Sequence, residues 1–526
     1  MWYNVRNTRQ IVPPEGAHRM NDIIKTKINL VPDTVNTSPD YFCTWQVQLY
    51  RCNNAGPQGQ RDNMTEENIF GTGDEALDRK LGRGWANHLY KDARRDLIYL
   101  LDDSWDIPIG AKKDESPWYA SQILAEDKFP SFYQPGEPFD GARNRESMKR
   151  LAEKIESLGW KGLGGWICVE KSPLAGDVDD ETYWGDRLRW ADYAGWRYWK
   201  LDWGQQCRTY RVRRLITELR LQLAPNLIAE QAMLPEIIPY ADSFRTYDVF
   251  TLLAIPITLE KLSVDFRYNA AEGHLGYINC MDEVYIAAAL GCAIDVTRHN
   301  MVGPLPDGRP DPSFPALHRN LKTKTDEVTR TVRWHRIAPA FSVNGSETFI
   351  DDNKLTDTWD VIEQAKEIEA WWKYRDGDHI ERSGPARISR GLSPAEAVPD
   401  AEGFVPFLVS ALHPCRAASI ASLARTQGRR YFTPMCDVTQ DVKAADMIGV
   451  FGYFGSLTLQ STAIREGSRI LMQDLLDDRA LDVTARCVIR GGSVTLPGEL
   501  ITEIGTSCNH EGDTSEPGLI VKIINA

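Results

Sequence analysis

Two acidic residues stand where short apolar runs give out: Asp202 closes YWKLD, and Asp248 follows SFRTY. A carboxylate pair can split a glycosidic bond with retention. One member attacks the anomeric carbon and the other, protonated, donates to the leaving oxygen, provided that they sit roughly 5–5.5 Å apart. Asp202 is then the candidate nucleophile and Asp248 the candidate general acid/base. Lys200 lies two residues before Asp202 and so shares its side of an extended strand. Its ammonium would favour the ionised carboxylate and bind a sugar hydroxyl, while Arg245 could bond the nucleophile or the substrate.

Further polar residues repeat the pattern. Asp102 and Asp103 follow LIYLL, and Glu230 ends NLIAE. Adjacent carboxylates accept hydrogen bonds from neighbouring hydroxyls, and their like charge raises the pKa of a nearby acid. Glu230 reads as a specificity residue. Trp45, Trp105, Trp166 and Trp203 offer flat faces for the C–H side of a pyranose. Asp242 precedes its strand and reads as structural. Asp282 and Glu283 follow the seventh strand and could line the pocket, a helix N-cap being the alternative; Asp295, Arg298 and His299 lie near the eighth strand as further candidates, a structural role being the alternative for the histidine. A lone carboxylate at a strand end is more often a cap than a nucleophile; the repetition carries the case.

These positions need a scaffold that brings strand ends together. Apolar runs alternate with helix-period segments, which is the pattern of an α/β fold with a parallel sheet. The runs are Tyr41–Gln48, Leu97–Leu101, Gly162–Val169, Tyr198–Asp202, Asn226–Glu230, Ser243–Tyr247, Gly276–Cys280 and Ala293–Thr297. Eight strands predict a closed (β/α)8 barrel, whose active site lies at the C-terminal strand ends. Arg145–Leu158 and Arg211–Leu223 read as outer amphipathic helices. A long helix is expected around Trp359–Tyr374, followed by a C-terminal antiparallel β-sandwich. The domains expected are an N-terminal extension at 1–40, the catalytic barrel at 41–384 and the sandwich at 385–526.

Taken in order, these motifs resemble those of glycoside hydrolase families 27 and 36, the α-galactosidase clan. YWKLDWG is similar to the Lys-x-Asp nucleophile strand, and LLDDSWD to the second-strand Asp-Asp-x-Trp motif. Trp45 in CTWQ is similar to the first-strand tryptophan, and SFRTYDVF to the Arg-x-x-Asp acid/base segment of family 36. The resemblance covers residues 43–250. It implies a retaining glycosidase with Asp202 as nucleophile, Asp248 as acid/base, and Asp102, Asp103, Lys200 and Arg245 as sugar-binding residues. Family 27 places its acid one residue further from the arginine, and IAEQAM does not match the fifth-strand segments of galactose-specific members.

Bulk properties exclude other classes. A net charge of −13 argues against nucleic acid and favours a neutral or cationic ligand. No apolar run approaches a membrane span, and the first ten residues lack a signal-peptide pattern. That leaves a cytoplasmic protein or one whose leader has been removed. The ten cysteines show no CxxC pair and no metal-type spacing, so no metal is expected, although Cys43 and Cys52 could pair in an oxidising compartment. Absent Walker, HExxH, GxSxG and dinucleotide fingerprints imply no cofactor. Arg208, Arg211, Arg213, Arg214 and Arg220 read as a solvated helix face. The expected partner is an oligosaccharide or glycoside, most simply a terminal α-D-galactoside or a β-L-arabinopyranoside. The alternatives are an isomaltose-releasing α-glucan hydrolase of the same clan and a carbohydrate-binding barrel that has lost catalysis.

Overall fold

A computed structural model describes residues 23–50, 57–113, 115–134, 141–246, 253–297, 324–361 and 375–525. Eight parallel strands close a barrel: β1 (Tyr41–Cys43), β2 (Ile98–Leu101), β3 (Gly162–Ile167), β4 (Tyr198–Leu201), β5 (Ile228–Gln231), β6 (Ser243–Arg245), β7 (Tyr277–Met281) and β8 (Ala293–Val296). Closure comes from β8 pairing with β1, Asp295 opposite Tyr41 and Val296 opposite Phe42.

The period of two sorts each strand between two cores. Ile98 and Leu100 of β2 join Tyr41, Cys43 and Tyr198 inside the barrel. Tyr99 and Leu101 face outward into the larger core under the helices. Gly164 on β3 makes room within: a side chain there would begin 2.8 Å from Cβ of Tyr198. Barrels are usually filled by branched apolar residues, yet the upper layer here holds Lys200, Glu230, Arg245 and Asp295, all buried.

Outside lie α1 (Gly141–Ser157), α2 (Asp180–Tyr193), α3 (Tyr210–Leu223), α4 (Ala254–Asp265), α5 (Val284–Leu290) and α6 (Thr325–His335). Between β5 and β6 the outer helix gives way to a 3₁₀ segment, Pro235–Tyr240, in which Pro235 and Pro239 disfavour a regular α-helix. All seven residues of α5 are buried because it is packed between the barrel and the C-terminal domain.

That domain stacks a nine-stranded sheet on a five-stranded one around a separate apolar core. Its ladders are mostly antiparallel, three pairings being parallel. Thr348–Ile350 forms one edge of the larger sheet and Ile24–Lys25 the other. α6 ties the domain to the barrel: Arg330 donates to both carboxylate oxygens of Asp474 at 2.9 and 2.8 Å. No helix among the described residues is long and apolar enough to cross a membrane.

Four sequence expectations change. The first strand stops at Cys43, and Trp45 opens a helix running to Tyr50. The helix expected around Trp359–Tyr374 lies mostly outside the described residues. Trp359 itself belongs to a strand, Lys354–Asp360, because Asp357 and Trp359 alternate inward against the threonines. Arg213 and Arg220 are not solvated: α3 turns both inward, leaving 0% and 4% exposed. Cys43 is a free thiol inside the barrel, turned to Asp102.

Candidate active site

β4 delivers Asp202 to the barrel mouth, and two features fix its backbone. The Asp202 N–H donates to the Ile167 carbonyl at 3.0 Å, prolonging the ladder to β3. From behind, Arg213 of α3 donates to the carbonyls of Leu201 at 3.3 Å and Asp202 at 3.0 Å, and to Gln231 at 2.9 Å. The turn that follows requires glycine. Gly204 has φ +128°, and a Cβ there would lie 2.7 Å from the Val169 backbone. Both constraints hold the carboxylate still.

The two oxygens of Asp202 differ. Oδ2 accepts from the Trp166 indole N–H at 3.1 Å and from Arg245 at 3.2 Å. Oδ1 is buried and bonded to no described residue. An unsatisfied buried carboxylate oxygen is costly, and a catalytic role is one of the reasons for which a protein keeps such a group.

Arg245 bridges two acids, donating to Glu230 Oε1 at 2.9 Å as well as to Asp202. Burial works against its charge, but Asp202 and Glu230 outweigh it and hold the guanidinium firmly protonated. The Glu230 carboxyl is enclosed by the protein's own donors: Tyr41 at 3.0 Å, Tyr198 at 2.7 Å and Arg245. Burial raises its pKa, with Arg245 opposing.

A second ion pair lies beside the first. Lys200 Nζ donates to Asp102 Oδ2 at 2.7 Å, the Cys43 thiol donates to the same oxygen at 3.1 Å, and the Asp103 N–H holds Oδ1 at 2.8 Å. Burial pushes the Asp102 carboxyl up, but the Lys200 ammonium prevails and its pKa is lowered. Asp103 accepts from Arg61 at 3.2 Å and from Ser104 Oγ at 2.9 Å. Ser104, directly after these two carboxylates, sits at φ +82°, a backbone conformation uncommon outside glycine.

The predicted set therefore divides. Asp102, Lys200, Asp202, Trp166, Arg245 and Glu230 form one linked network, with Asp103 attached. Trp45 is half-buried over the interior cluster of Tyr41 and Tyr198. Trp105 presents no sugar face: it is buried, its indole donates to the Trp166 carbonyl at 2.9 Å and its ring packs on Trp196. Trp203 is 51% exposed. Asp242 is structural, accepting from Arg220 and the Ala229 N–H. Asp282 accepts from the Thr297 N–H at 2.8 Å. Glu283 occupies the N-cap position of α5 without a capping bond from its side chain. Asp295 accepts from Thr297 Oγ1 at 2.7 Å through one oxygen, while the other is buried and unpaired among the described residues. Asp248, Arg298 and His299 lie outside the described residues.

Sequence reasoning missed Tyr41, Tyr198, Arg213 and Arg61. The period of two offered a signal for Tyr198, which shares the face of Lys200 and Asp202; no local signal marked the others.

No family model matches the chain, and no curated protein matches it closely enough to count. Solved structures similar to it include α-galactosidase I from Mortierella vinacea, at 15% identity over 66% of this chain and 94% of that one, with a TM-score of 0.32. An α-galactosidase from Saccharomyces cerevisiae with raffinose is 10% identical over 93% and 95%, at 0.36. A putative α-galactosidase from Bacteroides fragilis is 11% identical over 92% and 79%, at 0.37. At these identities and scores the likenesses add nothing to the site's own geometry.

Proposed function

We propose that this protein is a retaining exo-glycoside hydrolase that removes terminal α-D-galactosyl residues, or the stereochemically related β-L-arabinopyranosyl residues, by double displacement. The observation that carries this reading is the asymmetry of Asp202: one oxygen is pinned by Trp166 and Arg245 and the other is bonded to nothing described. A nucleophile needs that arrangement, with its orientation fixed and one lone pair in reserve. The resemblance of YWKLDWG and LLDDSWD to the clan's motifs supports the same assignment.

In this reading the terminal sugar lies over Trp45 and Trp166, with hydroxyls on Lys200, Asp102 and Asp103, while Glu230, enclosed by Tyr41, Tyr198 and Arg245, acts only through Arg245. Asp202 Oδ1 attacks the anomeric carbon while Asp248 protonates the departing oxygen. Asp248 then takes a proton from water, which displaces Asp202 and restores the anomeric configuration. Asp248 lies three residues beyond Arg245, the Arg-x-x-Asp spacing of the resemblance. The chemistry needs no cofactor.

Hydrolysis of p-nitrophenyl α-galactoside, β-L-arabinopyranoside and α-glucoside by wild type and Asp202→Asn tests the reading. One galacto-configured substrate should turn over and lose activity by roughly a thousandfold or more in the variant. Turnover of the α-glucoside alone transfers the assignment to the α-glucan branch. Activity indifferent to Asp202 refutes the mechanism.

A further inference from the structure

Lys113 stands at the rim of this site, its ammonium making no hydrogen bond among the described residues. Its nitrogen lies over the rings of Tyr119 and Trp166, 4.7 and 5.5 Å from their centroids, and 3.9 Å from Asp103 Oδ2, with 23% of the side chain exposed. The same carboxylate oxygen takes the Nε–H of Arg61, whose two terminal nitrogens bond nothing among the described residues. Two cations thus converge on one carboxylate oxygen.

Both are carried on an anchored wall. Lys128 Nζ donates to the carbonyls of Arg61 at 2.9 Å and Ser104 at 2.8 Å. Of the nearby acids, Asp62 accepts from the Gly110 N–H and Asp127 from the Ile109 N–H. Trp166 links this wall to the nucleophile, with Lys113 over its ring and its indole N–H on Asp202.

We propose that Lys113 and the terminal nitrogens of Arg61 form a subsite for an oxyanion, a carboxylate or a sulfate, carried by the terminal sugar. This rests on the glycosidase reading and narrows its substrate to acidic sugars. A guanidinium and an ammonium side by side match such a group in charge and geometry, and Asp103 remains to receive a neighbouring hydroxyl.

The test compares kcat/KM for p-nitrophenyl α-D-galactoside, its galacturonide and its 6-sulfate in wild type and Lys113→Gln. Wild type should favour one anionic substrate by about tenfold or more, and Lys113→Gln should lower that acidic-to-neutral ratio by about tenfold at unchanged melting temperature. The preferred anion identifies carboxylate or sulfate. Preference for the neutral galactoside, abolished by Asp202→Asn, overturns the subsite and leaves the glycosidase reading standing. If no substrate turns over, the glycosidase reading fails separately, and calorimetric titration with galacturonate decides the subsite. Binding that Lys113→Gln abolishes supports it, and no binding overturns it.

Discussion

The indole N–H of Trp166 lies 3.1 Å from Oδ2 of Asp202, so a residue from β3 orients a carboxylate from β4. Trp166→Phe keeps the ring and removes that donor. Hydrogen bonds to charged groups are worth about 1.5–3 kcal/mol, so kcat on an aryl galactoside should fall roughly tenfold to a hundredfold with KM little changed. An unchanged kcat would mean that the bond does not position the attacking oxygen.

Asp102→Asn leaves the Lys200 ammonium buried without its counter-charge. Removing one member of a buried pair costs about 3–5 kcal/mol, and Asp102 and Lys200 are both almost fully buried. Thermal unfolding should show a melting temperature lowered by several degrees, with activity lost as well. Asp102→Asn combined with Lys200→Met should recover part of the stability and none of the activity.

Arg213 touches no sugar in this account and acts through the backbone at the end of β4. Arg213→Met removes its bonds to the Leu201 and Asp202 carbonyls. The expected result is a tenfold or greater fall in kcat, as an order of magnitude for lost alignment, with Arg213→Lys recovering part of it. A loss confined to thermal stability would make Arg213 structural only.

Asp106, buried behind Asp103, is pushed up to about 7 chiefly by burial, with the Asp103 charge adding to it. A carboxyl whose folded pKa is raised favours the native state at low pH. That contribution is lost as pH climbs from the unfolded value of 3.8 through about 7. Asparagine has no such proton to lose. The stability of Asp106→Asn relative to wild type, followed by melting temperature, should therefore rise between pH 5 and pH 8, by up to roughly 3 kcal/mol. A difference that stays flat with pH would place the titration elsewhere.

Much of this was legible because a parallel barrel converts strand ends into neighbours. LLDD, YWKLD and SFR each end an apolar run, and the fold joins Asp102 to Lys200 and Asp202 to Arg245. Other contacts were illegible because they cross the sequence without a local pattern. Tyr41 reaches Glu230 across the barrel, and Arg213 sits in a helix whose arginine spacing reads as solvent-facing until α3 is turned. Trp105 misled in the opposite way: an aromatic beside a catalytic motif suggests a sugar platform, whereas Trp196 and the Trp166 carbonyl claim it for the core.

The central claim is that Asp202 forms the covalent bond. Incubation with a galacto-configured cyclitol aziridine, digestion and mass spectrometry test it most directly. A single adduct is expected on the peptide containing Asp202 and none in Asp202→Asn; an adduct on another carboxylate, or labelling undiminished in the variant, would rule Asp202 out as the nucleophile.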